Sequence, residues 1–273
     1  CLLSRGLGDV YKRQPLGWET SVAENVLKQM DEGTLKPSEL PKARQQQLQA
    51  RFNTLVQQAP ATLHRYAKYN PPLSLEFRSG MGANAFALPG GKIVMTDGIV
   101  KAAADKGLPD DALVGVLAHE IGHVVHRHTT RMVVEQGVLN VGLGLALGDV
   151  SVIVSTGASV MTGLAYSRSH EREADCYAIA LMRHTALPTA PMGKLLLAIA
   201  RDEEKEEDKG PASAASAPAA PQSTASAPGA PHKRKPGQEA ESHPVWSLLS
   251  SHPETVKRAT ELEQGHAPHC AKS

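Results

Sequence analysis

Apolar positions recur at helical spacing along much of the chain and alternate in one short region. In "ETSVAENVLKQMD", residues 19–31, Val22, Val26 and Met30 fall four apart and predict an amphipathic helix. "GTLKP" breaks it. "SELPKARQQQLQARFNTLVQQ" then predicts a second helix, with Leu48, Phe52, Leu55 and Val56 as its apolar face and Ser38 as its N-cap. Residues 15–70 read as a helical lead-in or, with equal weight, as a solvated helical hairpin.

The pattern changes at Pro71. "LSLEFR" alternates like a strand, and "GANAFALPGGKIVMTDG" reads as two short strands around a turn supplied by Pro89, Gly90 and Gly91. Thr96 or Asp97 is placed to cap a short helix over "GIVKAAADKG". Residues 110–136 predict one long helix, opened by acidic "PDD" where the helix dipole favours it. Residues 137–166 are Gly-rich and carry one charge, Asp149. The apolar run before Asp149 is short of the roughly 20 residues that cross a bilayer. The segment is expected to cover an active site, with a membrane-touching surface as the alternative. Two further helices follow, over 167–183 and over "APMGKLLLAIARDEEKEED".

Ala/Ser/Pro low-complexity sequence occupies 207–242 and predicts a disordered linker, since it has too little apolar surface to fold. A C-terminal segment, 243–273, is expected to dock back through a short helix in "HPVWSLLSSHPETVKRATELEQ". The opening "CLLSRGLGDVYKRQ", residues 1–14, has neither an initiator Met nor the layout of a signal peptide. It reads as a sequence artefact, with a targeting region missing before residue 15.

The 273 residues are 41% hydrophobic and only 4% aromatic, so the expected core, in residues 71–206, is aliphatic. Lys and Arg total 29 against 28 Asp and Glu, and this balance gives no electrostatic case for a nucleic-acid partner. The cysteines are Cys1, Cys176 and Cys270. With no CxxC spacing and an odd count they make a poor disulfide framework, and the compartment stays open.

The chemistry concentrates in "VLAHEIGHVVHRH". On a helix His119 and His123 share a face, so both imidazoles can point at one metal ion. Glu120 sits beside that face, where a carboxylate can take a proton from an activated water. A third ligand is needed. The metzincin position for it is occupied by Thr129, which excludes that arrangement. His126 lies too far along the helix and His128 points to the opposite face, so both are expected to stand behind the ligands or at the surface. A carboxylate from "YSRSHEREADCYAIALM" is the remaining source. There Ser167 is placed as the cap, and Glu171 and Asp175 fall on one face. Glu171 can complete a His₂Glu site. Asp175, one turn on, can accept the free ring N–H of a ligating histidine. Glu173 points elsewhere.

These motifs resemble the membrane-associated zinc metallopeptidases of the HtpX and CaaX-prenyl-protease type, which are gluzincins. The resemblance runs over about residues 70–200 and 248–262 and adds "GANAFALPGGKIVMTDG" and "SSHPETVKR" to the two motifs above. It implies an α+β fold: a mainly helical zincin-like domain with a small mixed sheet beside the HExxH helix. It implies one Zn²⁺ per chain on His119, His123 and Glu171, with Glu120 as general base and Asp175 behind the ligands. Asn84, Ala85 and Phe86 match a strand that pairs with extended substrate. His252 matches a position proposed in some periplasmic relatives to cap the zinc. The multi-span helices of the prenyl proteases are not seen, which points away from prenylated substrates and towards the small bacterial type.

The function expected is therefore a zinc endopeptidase acting on unfolded or misassembled proteins of the bacterial envelope, with membrane association. A chaperone-like or latent zinc protein is the alternative. Tyr166, His170, His252 and Arg258 are the candidate donors to the oxyanion.

Overall fold

The computed structural model describes residues 11–66, 68–135, 166–207, 251–253, 255–264 and 270. The expectations for the Gly-rich segment and the Ala/Ser/Pro linker thus fall almost wholly outside the described residues.

The lead-in is two helices, α1 (Leu16–Gly33) and α2 (Lys42–Gln58), with strand β1 (Lys36–Pro37) between them. Neither helix is a solvated hairpin arm. Leu48, Phe52 and Leu55 of α2 enter the main core, and Val26 and Met30 of α1 pack in a smaller one. Ser38 is not the cap of α2. Its hydroxyl donates to Asp97 Oδ1 at 2.6 Å, and Pro41 holds the cap position, where its fixed φ suits a helix start.

The sheet adds β2 (Ser74–Ser79), β3 (Ala85–Ala87) and β4 (Lys92–Thr96), in the order β1-β2-β4-β3. β2 runs parallel to β4, while β1 and β3 pair antiparallel with their neighbours, so the sheet is small and mixed, with β3 at an edge. Alternation along β4 serves two layers. Ile93 and Met95 face the main core, and Val94 faces the smaller core beneath α1. Thr96 then caps α3 (Asp97–Asp105), accepting from Ile99 N–H at 3.4 Å.

Helix α4 (Asp111–Val125) runs through the centre, and every residue from Ala112 to Val125 is buried. A helix buried all round carries its polar residues inside with it. The long predicted helix over 110–136 is therefore corrected in one respect. α4 stops at Val125, Arg127 takes a left-handed φ of 57°, and a new helical segment begins at residue 128. The turn is held by a buried carboxylate. Glu19 of α1 accepts from Arg127 Nε (2.9 Å) and Nη2 (2.7 Å), from Thr130 Oγ1 (2.6 Å) and from the Tyr69 hydroxyl (2.7 Å). Arg127 also donates to the carbonyls of Lys12 and Gln14.

Three more helices close the domain: α5 (Arg168–His184), α6 (Ala190–Glu207) and α7 (Thr255–Glu263). Ser167 caps α5 as expected, accepting from His170 N–H at 3.2 Å. α5 lies against α4 at Gly122, where a Cβ would stand 3.0 Å from the Ala174 backbone and 3.2 Å from Tyr177 Cβ. Only a residue without a side chain permits that approach. Cys176 on α5 is joined to Cys270 by a disulfide, so two of the three cysteines pair despite the odd count. Among the described residues no helix is long and apolar enough to cross a membrane.

Gly122→Ala should force α4 and α5 apart and destabilise the fold by roughly 1–3 kcal/mol, the usual cost of overpacking. Thermal unfolding should read this as a Tm several degrees lower; an unchanged Tm would show that the contact is not tight.

Candidate active site

The closeness at Gly122 sets Glu171, at the first turn of α5, over the inward face of α4. His119 Nε2 and His123 Nε2 stand 2.9 Å apart, one helical turn separating their backbones. Glu171 Oε2 lies 3.5 Å from the first and Oε1 3.4 Å from the second. A fourth group comes from the C-terminal segment. His252 Nδ1 stands 3.0 Å and 3.2 Å from the two Glu171 oxygens. Donor atoms of His119, His123, Glu171 and His252 all lie within 4.8 Å of one another, and all four residues are buried.

This donor set fits a metal ion. Three imidazole nitrogens and a carboxylate converge in a dry site, the ligand chemistry of a borderline-soft divalent cation. Both carboxylate oxygens of Glu120 and Nε2 of His252 are buried without a hydrogen bond, and Glu120 Oε1 and His252 Nε2 are 3.7 Å apart. Buried polar atoms without partners are rare in folded proteins and mark places where water, ion or substrate belongs.

Behind the cluster the charges are matched. Arg258 donates Nε–H to Asp175 Oδ2 at 2.6 Å and Nη2–H to Oδ1 at 2.7 Å, and its Nη1 pairs with Glu171. Asp175 Oδ1 lies 3.0 Å from His119 Nδ1, close but out of line for a straight hydrogen bond. The residue expected to stand behind a ligating histidine is thus in place.

The electrostatics follow. Burial pulls His119 down, but the adjacent carboxylates of Asp175 and Glu171 more than offset it, and the imidazole is pushed up to about 9. Burial dominates at His123 and holds it well below the usual histidine range. Burial opposes the charge of Glu171, yet His252, His119 and His123 together hold it well below the carboxylate range. At Glu120 burial outweighs the pull of His252 and His119 and raises the carboxyl.

His128 requires a correction. The Arg127 turn brings it round to the inner side, buried, with Nδ1 3.0 Å from His123 Nδ1. Its Nε2 faces Glu173 Oε2 at 3.1 Å, and Glu173 pairs with Arg65. His128 thus does not point to the opposite face but takes the first of its two expected places, behind His123, and Glu173, though remote from the cluster, stands second in line. His126 is half-buried, with Nδ1 2.8 Å from the Gly122 carbonyl. The signal missed was the break of α4. Nothing in the 3.6-residue pattern marks a non-glycine residue that turns left-handed because a distant Glu19 holds it.

Of the candidate oxyanion donors, Arg258 is engaged with the two carboxylates and His170 stacks on His128 at 4.3 Å. Tyr166 stacks on His123 at 3.7 Å, and its hydroxyl lies 2.9 Å from Thr129 Oγ1. Tyr166 and His252 are the two that remain beside the cluster. Asn84, Ala85 and Phe86 lie in or next to edge strand β3. The carbonyl of Asn84 and the N–H of Leu88 bond β4, so the peptide groups of Ala85 and Ala87 face away from it; both residues are buried, and the Ala85 N–H donates to Asn84 Oδ1 at 2.8 Å. The Ala87 carbonyl accepts from Thr129 Oγ1 at 3.0 Å, which ties this edge to the site.

Removing a group that orients a metal-binding histidine commonly weakens metal affinity 10–100-fold. His128→Ala should do so here, with Glu173→Gln showing a smaller loss, in competition against a chromophoric chelator. Unchanged affinity in both variants would leave His128 a packing residue.

Comparison with known proteins agrees with this geometry. The model of peptidase family M48 matches residues 42–265. A putative beta-barrel assembly-enhancing protease of Vibrio cholerae serotype O1 is 29% identical over 148 residues, covering 50% of this chain and 30% of that protein. A protease HtpX homolog of Aeropyrum pernix is 26% identical over 238 residues, 74% of this chain and 72% of the relative. Mitochondrial metalloendopeptidase OMA1 of Saccharomyces cerevisiae is 33% identical over 102 residues, 36% of this chain and 28% of the relative. The chain thus spans under a third of the Vibrio and yeast proteins but most of the Aeropyrum one. With a buried His/Glu cluster able to hold a metal and a family match across most of its length, the chain belongs to peptidase family M48, the HtpX-like metallopeptidases.

Proposed function

We propose that the chain is a zinc endopeptidase that hydrolyses extended segments of unfolded or misassembled envelope proteins. The observation that carries this reading is the convergence of His119, His123 and Glu171 beside the unpartnered carboxylate of Glu120. Two imidazoles and a carboxylate suit one Zn²⁺ per chain. Zinc in that position supplies Lewis acidity, which makes a water easy to deprotonate near neutral pH and polarises the scissile carbonyl. Glu120 takes the water's proton and returns it to the leaving amine, a task that suits a carboxyl raised by burial. Asp175, fixed by Arg258, orients the His119 ring. Substrate lies extended along Asn84, Ala85 and Phe86, with the Ala85 carbonyl and the Ala87 N–H of strand β3 as its partners. The Vibrio relative's name supports an envelope substrate, and the Cys176–Cys270 disulfide supports an oxidising compartment.

The test is digestion of casein by wild type and Glu120→Gln at equal zinc loading. Turnover should fall by about two to four orders of magnitude in the variant. Equal digestion would sink the mechanism. If neither digests casein although both hold zinc, the chaperone-like binding role gains. Glu171→Ala should lower the zinc content measured by elemental analysis; a full complement of zinc would remove Glu171 from the ligands.

One observation favours a latent form of the same enzyme. The space among Glu120, His119, His252 and Arg258 is about 10 Å³. That is at the lower limit for a single water, let alone a peptide carbonyl. The 251–258 segment therefore has to withdraw before substrate enters. His252→Ala should raise casein turnover above wild type, and an unchanged rate would count against latency.

A further inference from the structure

A second cavity lies next to the metal cluster and is unlike it in chemistry. Its walls are Met30 of α1, Met81 of the β2–β3 connection, Phe86 and Leu88 at β3, and Met132 of the segment after Arg127. Ala87, Tyr166, Thr129, Asn84 and Ser251 also line it, and among the described residues no charged side chain does. The Tyr166 ring that lines this cavity is the one stacked on His123. The cavity therefore adjoins both the reacting centre and the edge strand.

We propose that this cavity is the pocket that selects substrate, by taking a leucine- or methionine-sized apolar side chain next to the scissile bond. The inference rests on the peptidase reading above. Three arguments carry it. Side chains of an extended peptide alternate, so one paired along β3 presents every second side chain to the same face, and the cavity is lined by Phe86 of that strand and Leu88 just beyond it. Its walls are mostly apolar, and among the described residues it holds no opposite charge, which makes a buried charged side chain costly there. Its volume, about 50 Å³, is about a third of the ~150 Å³ apolar cavity that takes benzene. As it stands it suits a small or medium aliphatic group. Three methionine walls, each with several rotatable bonds, let it adapt to a longer one. Met30 and its helix precede residue 42, where the family match begins, so part of this pocket belongs to this chain's own lead-in.

The experiment separates selection from cleavage. Zinc-loaded Glu120→Gln is titrated with fluorescent peptides identical except at one position, carrying Leu, Met, Phe, Ala, Asp or Lys. Binding should be at least about tenfold tighter for Leu or Met than for Asp or Lys at a single position. Adding Met81→Lys, at a half-buried loop position, should reverse the order of Asp and Leu. Adding Met132→Ala, which enlarges the cavity, should shift the preference from Leu to Phe. Equal binding across the series, or a preference that neither substitution moves, overturns the pocket. Digestion of the same peptides by wild type is read separately. If the peptides bind with this selectivity and are not cut, the pocket stands and the peptidase reading fails.

Discussion

The site depends on how closely two helices can approach. α4 carries the paired histidines and α5 the carboxylate, and the two helices cross with the Gly122 backbone against the backbone of Ala174. Glu171 stands one turn before Ala174 on α5 and His119 one turn before Gly122 on α4. Any side chain at the crossing would move that carboxylate away from the imidazoles. The glycine inside HEIGH thus has a steric role that complements the chemistry of its neighbours.

Burial makes that geometry effective and also demanding. Glu120, Glu171 and Asp175 are all but fully withdrawn from solvent, and carboxylates in a low-dielectric interior need compensation. Arg258 compensates two of them, and the histidines share the rest. Glu120 is the exception: neither of its oxygens has a hydrogen bond, and His252 Nε2 stands 3.7 Å from one of them.

Much of this compensation comes from far along the chain. His252 and Arg258 follow Glu171 by more than eighty residues, and Cys270 fastens the C-terminal end to α5 beside Asp175. One short segment therefore places Arg258 against Glu171 and Asp175 and His252 against Glu171, so moving it would disturb both contacts together.

Read alone, the sequence determined the features that follow from backbone periodicity. The i, i+4 spacing of His119 and His123 and that of Glu171 and Asp175 put each pair on one helical face. The Ser167 cap, the Thr96 cap and the turn between β3 and β4 are equally local. The α+β class and the order of the four motifs were implied by the resemblance to the HtpX-type family. Tertiary structure decided what lies between elements. Ser38 was free by local rules to cap α2, but Asp97, brought in by the sheet, competes for its hydroxyl. Residues 110–136 look continuous until Glu19, over a hundred residues away in sequence, holds Arg127 in a left-handed turn and swings His128 behind His123. The pairing of Cys176 with Cys270 likewise required the chain to return. Periodicity is set by the dihedral angles of neighbouring residues, whereas these contacts depend on where the chain crosses itself, which no local pattern encodes.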